Sequence, residues 1–325
     1  MLRNQSAWVP MLLLTLVLIA LALVNPQFAV GLLAIVIVVG LPMIYMGYIY
    51  YLGEARTVRG DLRGAIRHYD RVLSLKLPMN KAAILIRRAA LRNAVGDVDG
   101  AIADYTAAMD KLPTTDPALY GVRAALYLGK RDYQNALEDS DKLLQFQPRS
   151  EVGFANRAAA RMFLGDTQGA IEDCAHGLEV ENSPSGKALL YNNRGTAYRL
   201  QSDYADAMAD YNVALSVALP EREKIMIHPA IMTNQGIVYY LQDDYENARI
   251  YFQEANTLNP GFYKAVAALA AARFKLGQVP EAQKLWMELL RAEPRYRDAP
   301  FLQRDLHLPM QIMADISDLI ESLKM

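Results

Sequence analysis

The chain has 325 residues, 53% of them hydrophobic and 21% charged, with a formal net charge of −1. That balance describes an ordered, core-forming chain and excludes the basic surface that a nucleic-acid partner would call for. A single cysteine, Cys174, excludes an intramolecular disulfide and agrees with a reducing compartment.

Taken in chain order, the first feature is a stretch from Arg3 to Glu54 with no charge between its ends. Within it, Trp8 to Val24 and Phe28 to Leu52 are each long enough to cross a bilayer, and Asn25, Pro26 and Gln27 between them form a turn that cannot continue a helix. The pattern predicts a transmembrane helical hairpin at residues 1–52, with spans at about 8–24 and 28–52. A secretory signal peptide is the weaker reading of the first span, because no small-x-small cleavage site follows it. Arg3 precedes the spans, and Arg56, Arg59, Arg63, Arg67 and Arg71 follow them. The expected protein is therefore multi-pass and integral to a bacterial inner or cell membrane. Its lipid bilayer would be one partner, and both termini and everything after the spans would be cytoplasmic. The arginines are read as this orientation signal and as the polar face of a helix, with Glu54, Asp61 and Asp70 diluting their charge.

Beyond the spans the chain repeats. Ala65, Ala101, Ala136, Ala170, Ala207, Ala248 and Ala282 fall in register at intervals of 36, 35, 34, 37, 41 and 34 residues. Four residues after each alanine stand Tyr69, Tyr105, Ser140, Cys174, Tyr211, Phe252 and Trp286, and Pro78, Pro113, Pro148, Pro220, Pro260 and Pro294 follow most units. Each unit reads as two short helices. The small residue lets them approach, the larger one covers the same face, and the proline ends the second helix. Such units cannot bury their faces alone and must stack.

A second periodicity accompanies the first. Arg88, Arg123, Arg157 and Arg194 occupy one position, and sixteen residues later stand Asp104, Asp139, Asp173 and Asp210. Where the arginine is absent the aspartate is absent too, as in Leu52 with His68, Gln235 with Tyr251 and Leu269 with Leu285. Joint presence and joint absence predict a contact between the two helices of one unit, with a structural role.

The units "YNNRGTAYRLQSDYADAMADYNVAL", "MTNQGIVYYLQDDYENARIYFQEANTLNP" and "AVAALAAARFKLGQVPEAQKLWMELLRAEP" resemble the tetratricopeptide repeat. The resemblance covers residues 47–294 as seven repeats and implies an all-α fold, a right-handed solenoid that follows the transmembrane hairpin. Because Tyr51 to Gly53 falls at the end of the second span, the membrane helix is expected to run directly into the array. Residues 295–325 form a capping region, where Ile312, Ile316, Leu319 and Leu323 share one helical face.

No catalytic constellation, cofactor site or metal site emerges. There is no glycine-rich phosphate loop, no His-Glu-x-x-His and no paired cysteines. Cys174 beside Asp173 and His176 is read as packing, since Cys174 holds the unit's buried position. His68, His228 and His307 share no motif.

As a family, tetratricopeptide arrays hold peptides or helices of other proteins in a concave groove. The resemblance therefore implies a membrane-tethered, non-enzymatic scaffold with another protein as partner. The alternative is an accessory subunit of a membrane complex, held by its spans. Groove positions implied by the family are Ala83, Ile86 and Ala90, then Ala118, Gly121 and Ala125, then Val152, Ala155 and Ala159. The basic residues of a carboxylate clamp are missing there. Asn156, Asn193 and Asn234 recur at one position and could hold a peptide backbone as a ladder, since amides donate and accept. With Ile86, Val152, Thr196 and Tyr240 they make up the candidate peptide-binding set. The competing reading is that the asparagines only tie neighbouring helices together and that the groove is empty or filled by the chain itself.

Overall fold

The protein's structure, a computed structural model, describes residues 40–75, 80–112, 116–181 and 183–323. Sixteen α-helices and one 3-10 helix account for most of the described residues, with no strand among them. They fall into two compact units, to Leu119 and from Tyr120.

The first unit contains α1 (Leu41–Val58), α2 (Leu62–Ser74), α3 (Ala82–Ala94) and α4 (Val98–Met109). Helix α5 (Ala118–Lys130) carries the boundary. The second unit continues with α6 (Tyr133–Phe146), α7 (Glu151–Leu164), α8 (Thr167–Val180), α9 (Pro184–Leu200) and α10 (Tyr204–Ser216). It ends with α11 (Glu221–Leu241), α12 (Tyr245–Leu258), α13 (Tyr263–Lys275), α14 (Val279–Ala292), a 3-10 turn (Pro294–Arg297), α15 (Ala299–Leu306) and α16 (Met310–Ser322).

One local device recurs at the hairpin turns. A first helix ends on a residue with positive φ, and an aspartate then caps the second helix. The positive-φ residues are Gly60, Gly96, Arg131, Gly165, Ser202 and Asp243. The caps are Asp61, Asp97, Asp132, Asp166, Asp203 and Asp244, each accepting a hydrogen bond from the backbone N–H three residues on. A left-handed residue turns the chain and satisfies the last carbonyls, while the carboxylate satisfies the next helix's free N–H groups. Pro148, Pro220, Pro260 and Pro294 lie just past the ends of α6, α10, α12 and α14. Pro78 and Pro113 lie outside the described residues.

Complementary sizes bring the two helices of a hairpin together. The register alanines Ala65, Ala101, Ala136, Ala170, Ala207, Ala248 and Ala282 are no more than 1% exposed. Opposite the large residue of the second helix, the first helix has glycine or alanine. A Cβ built on Gly195 would stand 2.8 Å from Tyr211 Cε1, and one on Gly236 2.5 Å from Phe252 Cε1. In the third and fourth hairpins, where the large residue shrinks to Ser140 or Cys174, the buried Ala124 and Ala158 stand at the same position. The 41-residue interval between Ala207 and Ala248 is absorbed by α11, whose 21 residues include Pro229.

The expected membrane hairpin and multi-pass placement require correction. Among the described residues no helix is long and apolar enough to cross a membrane. The span predicted at 8–24 and the first part of that at 28–52 lie outside the described residues. The remainder, from Leu41, belongs to α1, which continues without a break through Glu54 and Arg56. Ile49 and Gly53 of α1 are buried in the first hairpin, where Ile49 packs with Ala65, Tyr69 and Val72 and Tyr69 Oη donates to Glu54. Its other face, including Ile44, Tyr48 and Tyr51, is exposed. A helix that buries one stripe on protein and carries charge in its last turns is a repeat helix. The cytoplasmic, bilayer-bound placement, and the membrane-complex subunit that depended on it, lose their basis.

After the last hairpin α16 lies against α13 and α14, with Ile312, Ile316 and Leu319 wholly buried. Asp315 accepts a hydrogen bond from Tyr240 Oη at 2.6 Å and pairs with Lys275 Nζ at 3.3 Å. Gln283 Nε2 donates to Ser322 Oγ at 3.1 Å.

Candidate functional site

Two constellations were expected, the arginine and aspartate columns and an inner binding face. In the first, the structure brings each pair together. Arg88 Nε donates to Asp104 Oδ2 at 2.8 Å and Arg123 Nε to Asp139 Oδ2 at 2.7 Å. Arg157 Nη2 donates to Asp173 Oδ1 at 2.7 Å, and Arg194 donates through Nε and Nη2 to both oxygens of Asp210 at 2.8 Å. The carboxylate side chains are only 4%, 3%, 2% and 8% exposed. They therefore depend on the planar, bidentate fork that a guanidinium supplies. Two clamps carry a second arginine one turn on: Arg92 reaches Asp104 at 3.1 Å and Arg161 reaches Asp173 at 2.8 Å.

A further column went unread. Two residues past the aspartate position stand Asp70, Asp141 and Asn212, each joined to the arginine-position residue of the following hairpin. Arg88 Nη1 donates to Asp70 at 2.6 Å, Arg157 Nη1 to Asp141 at 2.9 Å and Gln235 Nε2 to Asn212 Oδ1 at 2.8 Å. The position changes from Asp70 and Asp141 to Asn212, and Ala175 holds it in another hairpin, so no strict repeat marks it in the sequence.

The inner face is divided. In the second unit, on α5 and α7, it is open and apolar, with Val122 and Val152 43% and 48% exposed, Ala125 exposed, and Ala155 and Ala159 half-buried, while Ala118 of the first unit is exposed. Gly121 is buried, because Leu143 and Val152 press against the space a Cβ would need. In the first unit Ile86 is half-buried against Ala82, Leu85 and Ala108, while Ala83 and Ala90 are exposed.

From α9 onward the chain fills part of the face itself. A recess of about 580 Å³ is walled by Ala159, Met162 and Phe163 of α7, Asn193, Thr196, Arg199 and Leu200 of α9, Asn234 of α11 and Lys264 of α13. Its remaining wall is Gln303, His307, Leu308 and Pro309, which follow the last repeat. His307 takes a left-handed φ of 48° and stands beside the Phe163 ring at 5.4 Å.

The asparagine ladder is thereby corrected in two of its three members. Asn156 Nδ2 donates to the Gly121 carbonyl at 2.9 Å, tying α7 to α5. Asn234 is buried, and its Nδ2 donates to Asn192 Oδ1 at 2.9 Å and Thr196 Oγ1 at 3.3 Å. Thr196 itself donates to the Asn192 carbonyl at 2.8 Å. Asn193, at the recess, has no hydrogen-bond partner among the described residues. Tyr240, expected in the binding set, is instead wholly buried beneath α16 with its hydroxyl on Asp315 and presents no surface to a peptide. The overhead helix that covers it comes from 70 or more residues downstream, beyond the reach of the repeat pattern. Cys174 is fully buried and its thiol is pushed up to about 12 by burial and by Asp173.

Tandem helical hairpins stacked in this way define an α-solenoid of the tetratricopeptide type. Residues 229–262, the later part of α11 with α12, match the model of the tetratricopeptide repeat family. Among curated proteins, the chain is 26% identical over 54% of its length to human tetratricopeptide repeat protein 13, and 27% identical over 62% to Hsp70-Hsp90 organizing protein 3 of Arabidopsis thaliana. It spans only 20% and 34% of those relatives' own lengths. A thermophilic tetratricopeptide protein of Thermus thermophilus, of known structure, superimposes over 59% of this chain and 99% of its own, with a TM-score of 0.50 at 20% identity. The chain thus shares the fold of tetratricopeptide repeat proteins, and residues 229–262 match the repeat itself.

Proposed function

We propose that the chain is a non-catalytic scaffold that binds another protein through the open inner face of α5 and α7. The observation that carries this reading is the division of that face. The later hairpins are occupied by the chain's own Gln303 to Pro309, whereas Val122 and Val152 remain exposed beside small residues. Exposed small and branched apolar positions on two linked helices accept the apolar stripe of a partner helix or an extended segment. One relative's name, Hsp70-Hsp90 organizing protein 3, agrees with such a role. The basic residues that would clamp a terminal carboxylate are absent from this face, so recognition is by shape and apolar contact.

The test is affinity capture with the full chain and with Val152→Asp and Ala125→Asp. Both positions are exposed, so thermal stability is expected to stay within about 0.5 kcal/mol of wild type. A partner retained by wild type and lost by both variants at unchanged stability supports the reading. A partner set indifferent to both changes contradicts it.

A further inference from the structure

The recess at α9, α11 and α13 has a charge pattern that protein docking on α5 and α7 does not use. Two cations face it, Arg199 and Lys264, together with Asn193, Thr196, Gln303 and His307, and no carboxylate is among its walls. Arg199 Nε is buried with no hydrogen-bond partner. Lys264 has no hydrogen-bonded or ion-paired acid among the described residues, and its ammonium is pulled down to about 8 by burial and by Arg199. Asp305 of α15 is engaged by Tyr296 Oη at 2.5 Å. Desolvation, Arg131 and Lys264 hold the His307 imidazole below its ordinary range, so it adds donors without adding charge at neutral pH.

Two like charges half-buried at one recess with no paired acid are costly, and the guanidinium groups of Arg88 and Arg157 are matched by carboxylates. The missing partner is therefore an anion. Its donors stand on several walls, on α9, α13 and α15, which suits a group with several acceptor oxygens and a charge of about −2. A volume of about 580 Å³ is that of a small-molecule site. We propose that this recess binds a small phosphate-bearing anion, with Arg199 and Lys264 as its charge partners and Asn193 and Gln303 as donors.

The proposal stands apart from the partner-binding reading, and its test uses no protein partner. The full chain is titrated calorimetrically with inorganic phosphate and with pyrophosphate, at constant ionic strength balanced with chloride. Citrate serves as a carboxylate control. Saturable binding of either phosphate is expected in wild type, weakened at least tenfold in Lys264→Met and retained in Lys264→Arg. Asn193→Ala, on another wall and exposed to the recess, should weaken it severalfold, and it serves as the deciding variant if Lys264→Met does not fold. The absence of saturable binding in wild type overturns the proposal. So does equal affinity in the variants, or citrate binding tighter than pyrophosphate.

Discussion

Arg194 and Asp210 form a clamp with no second arginine, because Tyr198 stands where Arg92 and Arg161 back up the clamps of Asp104 and Asp173. Removing Arg194 strands a carboxylate that is 8% exposed, whereas removing Arg157 leaves Asp173 still held by Arg161 at 2.8 Å. Arg194→Ala is therefore expected to cost about 2–3 kcal/mol and to couple strongly with Asp210→Ala, and Arg157→Ala is expected to cost less. Chemical denaturation of the four single and double variants measures this, and additive effects at the Arg194 pair would refute the clamp. Glycines offer an equally sharp contrast. Gly236→Ala forces a methyl to within 2.5 Å of the Phe252 ring and should cost about 1–3 kcal/mol, while Gly129→Ala on α5 meets nothing within 4 Å and should stabilise by about 0.5–1 kcal/mol. The clamps were legible in the sequence because seven internal copies show the two residues present or absent together. The links to Asp70, Asp141 and Asn212 were not, because they change chemistry from ion pair to amide pair and Ala175 interrupts the column.

At the scale of the element, the turn inside each hairpin asks for a left-handed residue followed by an aspartate cap. Gly60, Gly96 and Gly165 meet the first demand without strain, but Arg131, Ser202 and Asp243 meet it with a side chain. Ser202, exposed and at φ 63°, is the cleanest test. Ser202→Gly should raise the unfolding free energy by about 0.5–1 kcal/mol, read from the denaturation midpoint at unchanged slope, and a loss of stability would contradict the turn geometry. The hairpins were readable because their alanines, large residues and prolines are local signals of helix contact and helix ends. Helix α1 was misread for a related reason. Uncharged apolar sequence has the same composition whether it meets lipid or protein, and contacts such as those of Ile49 and Gly53 with α2 and of Tyr69 with Glu54 distinguish the two.

For the molecule as a whole, contacts that leave the repeat period decide which surface stays open. Helix α16 covers Tyr240, and Gln303 to Pro309 wall the recess, so Tyr240 lies beneath the chain's own end and Asn193, Thr196 and Asn234 beside it. Repeat statistics carry no sign of this, since the pairing of Tyr240 with Asp315 spans 75 residues and occurs once. Asp315→Ala should leave the buried Tyr240 hydroxyl without its acceptor and cost about 1–3 kcal/mol, measured by thermal or chemical unfolding, with Tyr240→Phe in the same background recovering part of the loss. What remains open is the face of α5 and α7, the central claim of the functional reading. Its most direct test is photo-crosslinking from residues replaced singly at Val152, Ala125 and, on the second helix α10, the exposed Val213, followed by identification of the partner residues joined. The account predicts crosslinks to one defined segment of one partner from Val152 and Ala125 and none from Val213. Crosslinks from Val213 alone would contradict it.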